Sequence, residues 1–133
     1  MWSAPWLLSC DMAKVSPYEK RLLQNLDLIA IAQDPRGEMA TAHKIQDKVT
    51  LWVKRHLPMK GDLFSSFSYA LVNLNQGNEV VSFKPADYGL EASDVYTIMD
   101  VFAGDFLRNV TKKDNVNVSI PPEDIILYTF YPL

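Results

Sequence analysis

The sequence predicts a mainly β chain, an antiparallel β-sandwich preceded by a short strand-helix segment. Three observations carry that expectation. Side chains alternate at period two from about Val49 onward, clusters of turn residues separate the alternating runs, and helical spacing is confined to the first third. Several short strands with almost no helical pattern among them point to a sandwich.

The apolar run 2–8 lacks helical spacing and reads as a strand buried on both faces. A helix start follows. Ser16, Pro17 and Glu19 make a capping box with proline at the first helical position, in which the serine hydroxyl accepts from the Glu19 N–H and the Glu19 carboxylate reaches back. Tyr18, Leu22, Leu23 and Leu26 then fall at helical spacing, an apolar stripe that needs a partner surface. Residues 28–32 read as an apolar connector ending at Gln33-Asp34-Pro35-Arg36-Gly37. There proline disfavours helix in the residue before it and glycine permits a turn, and a domain boundary is placed at that point.

Val49, Leu51 and Val53 alternate with Thr50, Trp52 and Lys54, and Phe67, Tyr69 and Leu71 alternate with Ser68 and Ala70, so both segments read as strands. Asn75-Gln76-Gly77-Asn78 turns the chain into 79–84, and the short connection suggests a hairpin. Tyr96, Ile98 and Phe102 are expected on one face of a further strand. Val116, Val118 and Ile120 alternate with polar residues, which gives that strand one wet face. Pro121-Pro122-Glu123-Asp124 turns into 125–131, where Ile126, Tyr128 and Phe130 face one way and Leu127 and Tyr131 the other, a central strand covered on both sides.

The 133 residues suffice for one domain with its own core, or a domain plus a piece of another. At 48% hydrophobic, 22% charged and a net charge of −3, the composition is that of a soluble globular protein. No basic excess indicates nucleic acid or an anionic membrane as partner. The run 1–10 is interrupted by Ser3 and Pro5 and falls far short of the ~20 residues of a membrane span. With no basic stretch before it, it does not read as a signal peptide either. Cys10 is the single cysteine, which excludes an internal disulfide and cysteine-based zinc patterns and leaves a buried packing residue.

At this point the residues meet a family. Ala4-Pro5-Trp6-Leu7-Leu8-Ser9-Cys10-Asp11-Met12, then Ser16-Pro17, Leu22-Leu23-Gln24-Asn25 and Ile29-Ala30-Ile31-Ala32-Gln33-Asp34-Pro35 resemble family 27 glycoside hydrolases. In those enzymes an "APL-S-DL" strand end leads through a helix to "IAINQDPLG". Asp100-Val101-Phe102-Ala103-Gly104-Asp105 is similar to a "DVYSGD" segment of the α-N-acetylgalactosaminidases, and Tyr131-Pro132 to their terminal "YP". Between Met39 and Ser93 the match is weak. Cys10, Ala32 and Arg36 depart from the pattern.

The resemblance implies a (β/α)8 barrel followed by an antiparallel β domain. Residues 1–38 would be the last strand-helix piece of the barrel and 39–133 the C-terminal domain. A whole barrel takes about 250 residues, so most of it would be missing. It further implies a retaining exo-glycosidase, acting in the lysosome on terminal α-linked galactose or N-acetylgalactosamine of glycolipids and glycoproteins. The full-length protein would be a homodimer. Its partners would be the missing N-terminal barrel and, through that barrel, a glycoconjugate substrate, with no cofactor. The two catalytic aspartates would lie upstream of Met1, so no residue here inherits a catalytic role.

The remaining candidates favour bland readings. Asp11 follows the putative eighth barrel strand, but reads as a turn or capping carboxylate. Asp100 and Asp105 flank a turn through Gly104, and Glu123 and Asp124 lie in a proline-rich turn, so all four read as solvated acids. His43 and His56 have no ligand at metal spacing and no nucleophile beside them, and read as surface histidines. Lys54-Arg55-His56 reads as a solvated loop. Trp2 and Trp6 could stack on a sugar but sit in a segment apolar enough for core packing. Asn109-Val110-Thr111 and Asn117-Val118-Ser119 are N-glycosylation patterns, and alternation puts Asn117 on the polar face of its strand. Two further readings compete with the glycosidase fragment: a stand-alone β-sandwich interaction or sugar-binding domain without catalysis, and a truncated product with no function.

Overall fold

The computed structural model describes residues 11, 13–60, 64–90 and 95–133, so the strand expected over 2–8, Trp2, Trp6 and Cys10 lie outside the described residues. The capping box forms as expected. Ser16 Oγ accepts from Glu19 N–H at 3.2 Å and the Glu19 carboxylate accepts from Ser16 N–H at 2.8 Å, opening helix α1, Pro17–Leu23.

The expected stripe does not lie on one helix. Asn25 Oδ1 accepts from the N–H groups of Asp27 and Leu28, at 3.0 Å each, and so starts a second helix, α2, Leu26–Ala32. A capping side chain satisfies donors that a continuing helix would bond internally, which favours a fresh start over continuation. The run read as a connector is therefore a helix, and Tyr18 and Leu26 remain exposed at 63% and 79%. The turn at Asp34-Pro35-Arg36-Gly37 is present, with Gly37 at φ 66 and its N–H donating to Asp34 O.

Eight strands follow: β1 Thr41–Gln46, β2 Val49–Lys60, β3 Phe64–Asn73, β4 Glu79–Phe83, β5 Tyr96–Asp100, β6 Asp105–Val110, β7 Val116–Ile120 and β8 Ile125–Pro132. One sheet runs β1-β2-β3-β8-β5-β6 and the other is the pair β4-β7, all antiparallel. The fold is thus mainly β, as the alternation predicts. β8 is central between β3 and β5, and β7 buries Val116, Val118 and Ile120 while exposing Asn117 and Ser119.

Two expectations are corrected. The turn at 75–78 does not close a hairpin, because both edges of β3 are already taken by β2 and β8, and the chain crosses to the small sheet. Asn73 fixes the crossing. Its Nδ2 donates to Gly77 O and Pro121 O, both at 2.9 Å, and its Oδ1 accepts from Asn75 N–H, tying this turn to the one that leads into β8. Phe102 is not on the face of Tyr96 and Ile98. β5 ends at Asp100, whose carboxylate accepts from the N–H groups of Phe102 and Ala103, and Phe102 is 40% exposed in the resulting turn. Gly104 sits there at φ 74, the left-handed conformation that glycine tolerates best.

The core lies between the sheets. Val49, Leu51 and Val53 of β2, Phe67, Tyr69 and Leu71 of β3, Phe130 of β8 and Tyr96 and Ile98 of β5 meet Val81 and Phe83 of β4 and Val116, Val118 and Ile120 of β7. The other face of the large sheet carries a second cluster, Ala70, Val101 and Leu127, closed by Ile31 of α2 with Leu28 and Trp52 packed against it.

Candidate functional site

The region with the most concentrated polar chemistry is that second face, beneath α2 and the turn after it. Register places Trp52, Ala70 and Leu127 side by side, and Lys54, Ser68 and Thr129 in the next same-face row. The first row is apolar and receives Ile31. The second is buried and polar, with Lys54 1% exposed and Ser68 and Thr129 0%, and so is the pair beyond it, His56 at 2% and Ser66 at 0%.

Several of these buried polar groups find partners in distant segments, since burial demands that they be satisfied. The Lys54 ammonium donates to Ile31 O, one of the C-terminal carbonyls that a helix leaves open. Asp34, 5% exposed, accepts from Leu57 N–H at 2.8 Å and Arg36 N–H at 3.1 Å. Arg36 Nη1 donates to Ser65 Oγ, and Arg36 and Arg55 both donate to Glu38. Asn25 Nδ2 donates to Val101 O at 2.8 Å. The helical arm is therefore clamped to the sheet at several points along its length.

His56 is fixed in one tautomer. Its Nδ1 lies 2.5 Å from Leu57 O, an acceptor only, so Nδ1 carries the proton and Nε2 accepts from the Ser68 hydroxyl at 2.8 Å. Ser68 Oγ in turn accepts from Thr129 at 3.0 Å. This corrects two expectations: His56 is a core residue, and Lys54-Arg55-His56 belongs to strand β2. The outer face of β2 is covered by the arm, which residue spacing alone does not reveal. A serine does lie beside His56, but with both side chains buried and the imidazole proton held by Leu57 O, the pair ties strands together and offers a substrate no access.

Burial pushes the His56 imidazole below its usual 6.5; Leu57 O and the charge of Asp34 pull it up, and Lys54 pushes it down again. Tyr131 of β8 faces it edge-on at 6.5 Å. The unfolded chain therefore binds this proton more readily than the folded one. Stability from this group is complete above the usual 6.5 and is lost as pH falls from there towards the folded value, by at most about 1.4 kcal/mol per pH unit. Glu38 is held below its usual 4.5, chiefly by Arg55, so its contribution is lost only at lower pH. Urea unfolding at pH 7.5 and 5.5 should show a lower midpoint at 5.5, and a His56→Gln variant should lose that difference. An unchanged difference in the variant would assign it to other groups.

The remaining sequence candidates do not converge. Asp11 is exposed, accepts from Ala13 N–H at 3.0 Å and pairs with Lys14 at 3.7 Å. His43 is half-buried, edge-on to Tyr88 with ring centroids 5.1 Å apart. Glu123 and Asp124 are exposed in their turn. Among the described residues no group of three or more His, Cys, Asp or Glu could hold a metal ion, and no helix is long and apolar enough to cross a membrane. Open clefts lie on the surface of the described residues, among them one of ≈ 200 Å³ lined by Leu107, Arg108, Asn117 and Tyr128, and two larger ones. One of ≈ 300 Å³ is lined by Glu38, Thr41, Arg55 and Tyr88 among others, and one of ≈ 270 Å³ by Tyr18, Arg21, Leu22, Asn25 and Phe102.

No family model matches the chain. Individual relatives do. The α-N-acetylgalactosaminidase of Mus musculus is 29% identical over 136 residues, covering 98% of this chain. The chain is a homologue of the C-terminal part of family 27 glycoside hydrolases. It spans 31% of the mouse enzyme's length. α-Galactosidase I of Mortierella vinacea superposes with a TM-score of 0.79 at 17% identity, over 96% of this chain and 32% of that one. A family 27 β-L-arabinopyranosidase of Geobacillus stearothermophilus gives 0.73 at 19% identity, over 92% and 26%. These two solved structures share the fold although they are named for different sugars.

Proposed function

We propose that this chain is the non-catalytic C-terminal part of a retaining exo-glycosidase acting on terminal α-linked galactose or N-acetylgalactosamine of glycolipids and glycoproteins. The observation that carries the reading is the coverage: 98% of the chain aligns with an α-N-acetylgalactosaminidase of which it spans less than a third. The chemistry of the acids supports it. Retaining hydrolysis needs two carboxyl groups roughly 5 Å apart, one of them free to attack the anomeric carbon. The one carboxylate among the described buried residues is Asp34, and backbone N–H groups occupy it.

On this reading residues 1–38 close an N-terminal catalytic barrel and 39–133 form the supporting domain, the helical arm coupling the two. Tyr18, Leu22 and Phe102, around an open cleft, and the exposed Leu26 give the barrel an apolar surface to cover. Lysosomal residence, homodimerisation and glycosylation of the full-length protein belong to the same proposal.

The folded chain, assayed alone against chromogenic aryl α-galactoside and α-N-acetylgalactosaminide, is expected to release no product above the blank. Turnover would overturn the reading, and turnover lost in Asp11→Asn would locate an active site in this chain.

A further inference from the structure

The two glycosylation patterns sit in different surroundings. Asn109, on edge strand β6, accepts from the Thr97 hydroxyl across the β5-β6 pair at 3.1 Å. The hydroxyl its pattern requires, on Thr111, donates to the Asp114 carboxylate at 2.9 Å, and the same carboxylate accepts from Thr111 N–H at 2.7 Å. This sequon is folded into a turn. Asn117 and Ser119 lie instead on the outer face of β7, opposite Ser82 and Val80 of β4. All four are exposed, Val80 at 71%, while the residues between them are buried in the core.

We infer that Asn117 is an N-glycosylation site and that the outer face of the β4-β7 sheet is a glycan-bearing solvent face of the full-length protein. Asn117 stands opposite Ser82 and borders an open cleft of ≈ 200 Å³ shared with Leu107 and Arg108, so a glycan attached there projects outward, displaces nothing from the core and shields the exposed Val80. The reaction needs a lipid-linked oligosaccharide pyrophosphate as donor. The anomeric C–O bond breaks and the lipid pyrophosphate leaves with the electron pair, a C–N bond forms to Asn117 Nδ2, and that nitrogen gives up one proton. A glycan here also keeps any partner domain off this face. That leaves the arm side of the large sheet for docking, in keeping with the exposed Tyr18 and Leu26 on the arm.

Occurrence in the cell rests on the proposed passage of the protein through the secretory pathway, but competence of the site does not, and the two are separable. The full chain, expressed behind a secretion leader in a eukaryotic cell, is analysed by intact mass and peptide mapping before and after peptide-N-glycosidase digestion. The expected result is a glycan on the peptide carrying Asn117, lost in Ser119→Ala and in Asn117→Gln and retained in Asn109→Gln. Both cell-associated and secreted pools are read, so a variant that fails to fold still reports. An Asn117 peptide without glycan in both wild-type pools would overturn the inference, whatever the state of Asn109. Failure of the glycosidase reading would appear instead as turnover by the chain alone, which this experiment does not measure.

Discussion

Replacing Asp34 with alanine is expected to cost about 2–4 kcal/mol of folding stability, and to loosen the helical arm before the sheet. The carboxylate, itself 5% exposed, accepts from Leu57 N–H in the sheet and Arg36 N–H in the turn after α2, so truncation removes the acceptor of two part-buried donors. Each orphaned buried donor costs about 1–3 kcal/mol. It also removes a negative charge that acts on the buried Lys54, and breaking one side of a buried charge cluster is more harmful than never having built it. Asp34→Asn keeps one carbonyl oxygen as acceptor and should cost distinctly less. Urea unfolding of the three proteins measures the ranking, and equal stability of wild type and Asp34→Ala would show that the clamp is not energetically important.

Phe130→Ala is expected to cost about 3–5 kcal/mol, the range for deleting a buried aromatic side chain from a close-packed core. Phe130 is fully buried on the central strand β8, with its ring 4.8 Å from that of Tyr69 and tilted edge-on to it. It stands between β3 and β5 in the ladder, opposite Phe67 on one side and Ile98 on the other. Its loss therefore leaves a void at the middle of the large sheet. The effect should be global, with one cooperative transition moved to lower urea, in contrast to the arm-first loosening of Asp34→Ala. A shift confined to the arm would contradict the core as described.

Much of the β architecture was legible because burial on one face writes itself into the sequence at period two. Val49-Leu51-Val53, Phe67-Tyr69-Leu71 and Val116-Val118-Ile120 all face the common core as their alternation implies. β1 and β6 left no such trace. Both are edge strands, and five of the six residues of β6 are exposed, so no apolar period is imposed on them. The false hairpin has a similar origin. Turn chemistry at 75–78 reports a change of direction but not the destination, which depends on which edges of β3 are free.

The polar clamp was the least legible part. Lys54 and His56 sit at outward positions of β2, where a charged residue ordinarily means water, and what covers them is an arm some 20 residues earlier in the chain. Gln33-Asp34-Pro35 carries a family resemblance and a turn signal, but nothing in its local sequence encodes the reach of Asp34 to Leu57. A signal did exist in retrospect. Ser66, Ser68 and Thr129 place small hydroxyls on the outer face of two central strands, and a hydroxyl row in a covered sheet calls for polar partners. The second helix could also have been read from Asn25 as a cap, with Leu28, Ile31 and Ala32 at helical spacing.

The account rests on the arm and the sheet being one folded body, since that is what holds α1 and its exposed apolar residues in place for a catalytic partner. Amide hydrogen exchange of the intact chain tests this most directly, because protection reports local opening segment by segment. The amides of Ile29 and Gln33, bonded within α2, and that of Leu57, bonded to Asp34, should be protected alongside the β3 amides. Free exchange at Ile29, Gln33 and Leu57 with β3 still protected would mean the arm is not held by the sheet, and would contradict the account.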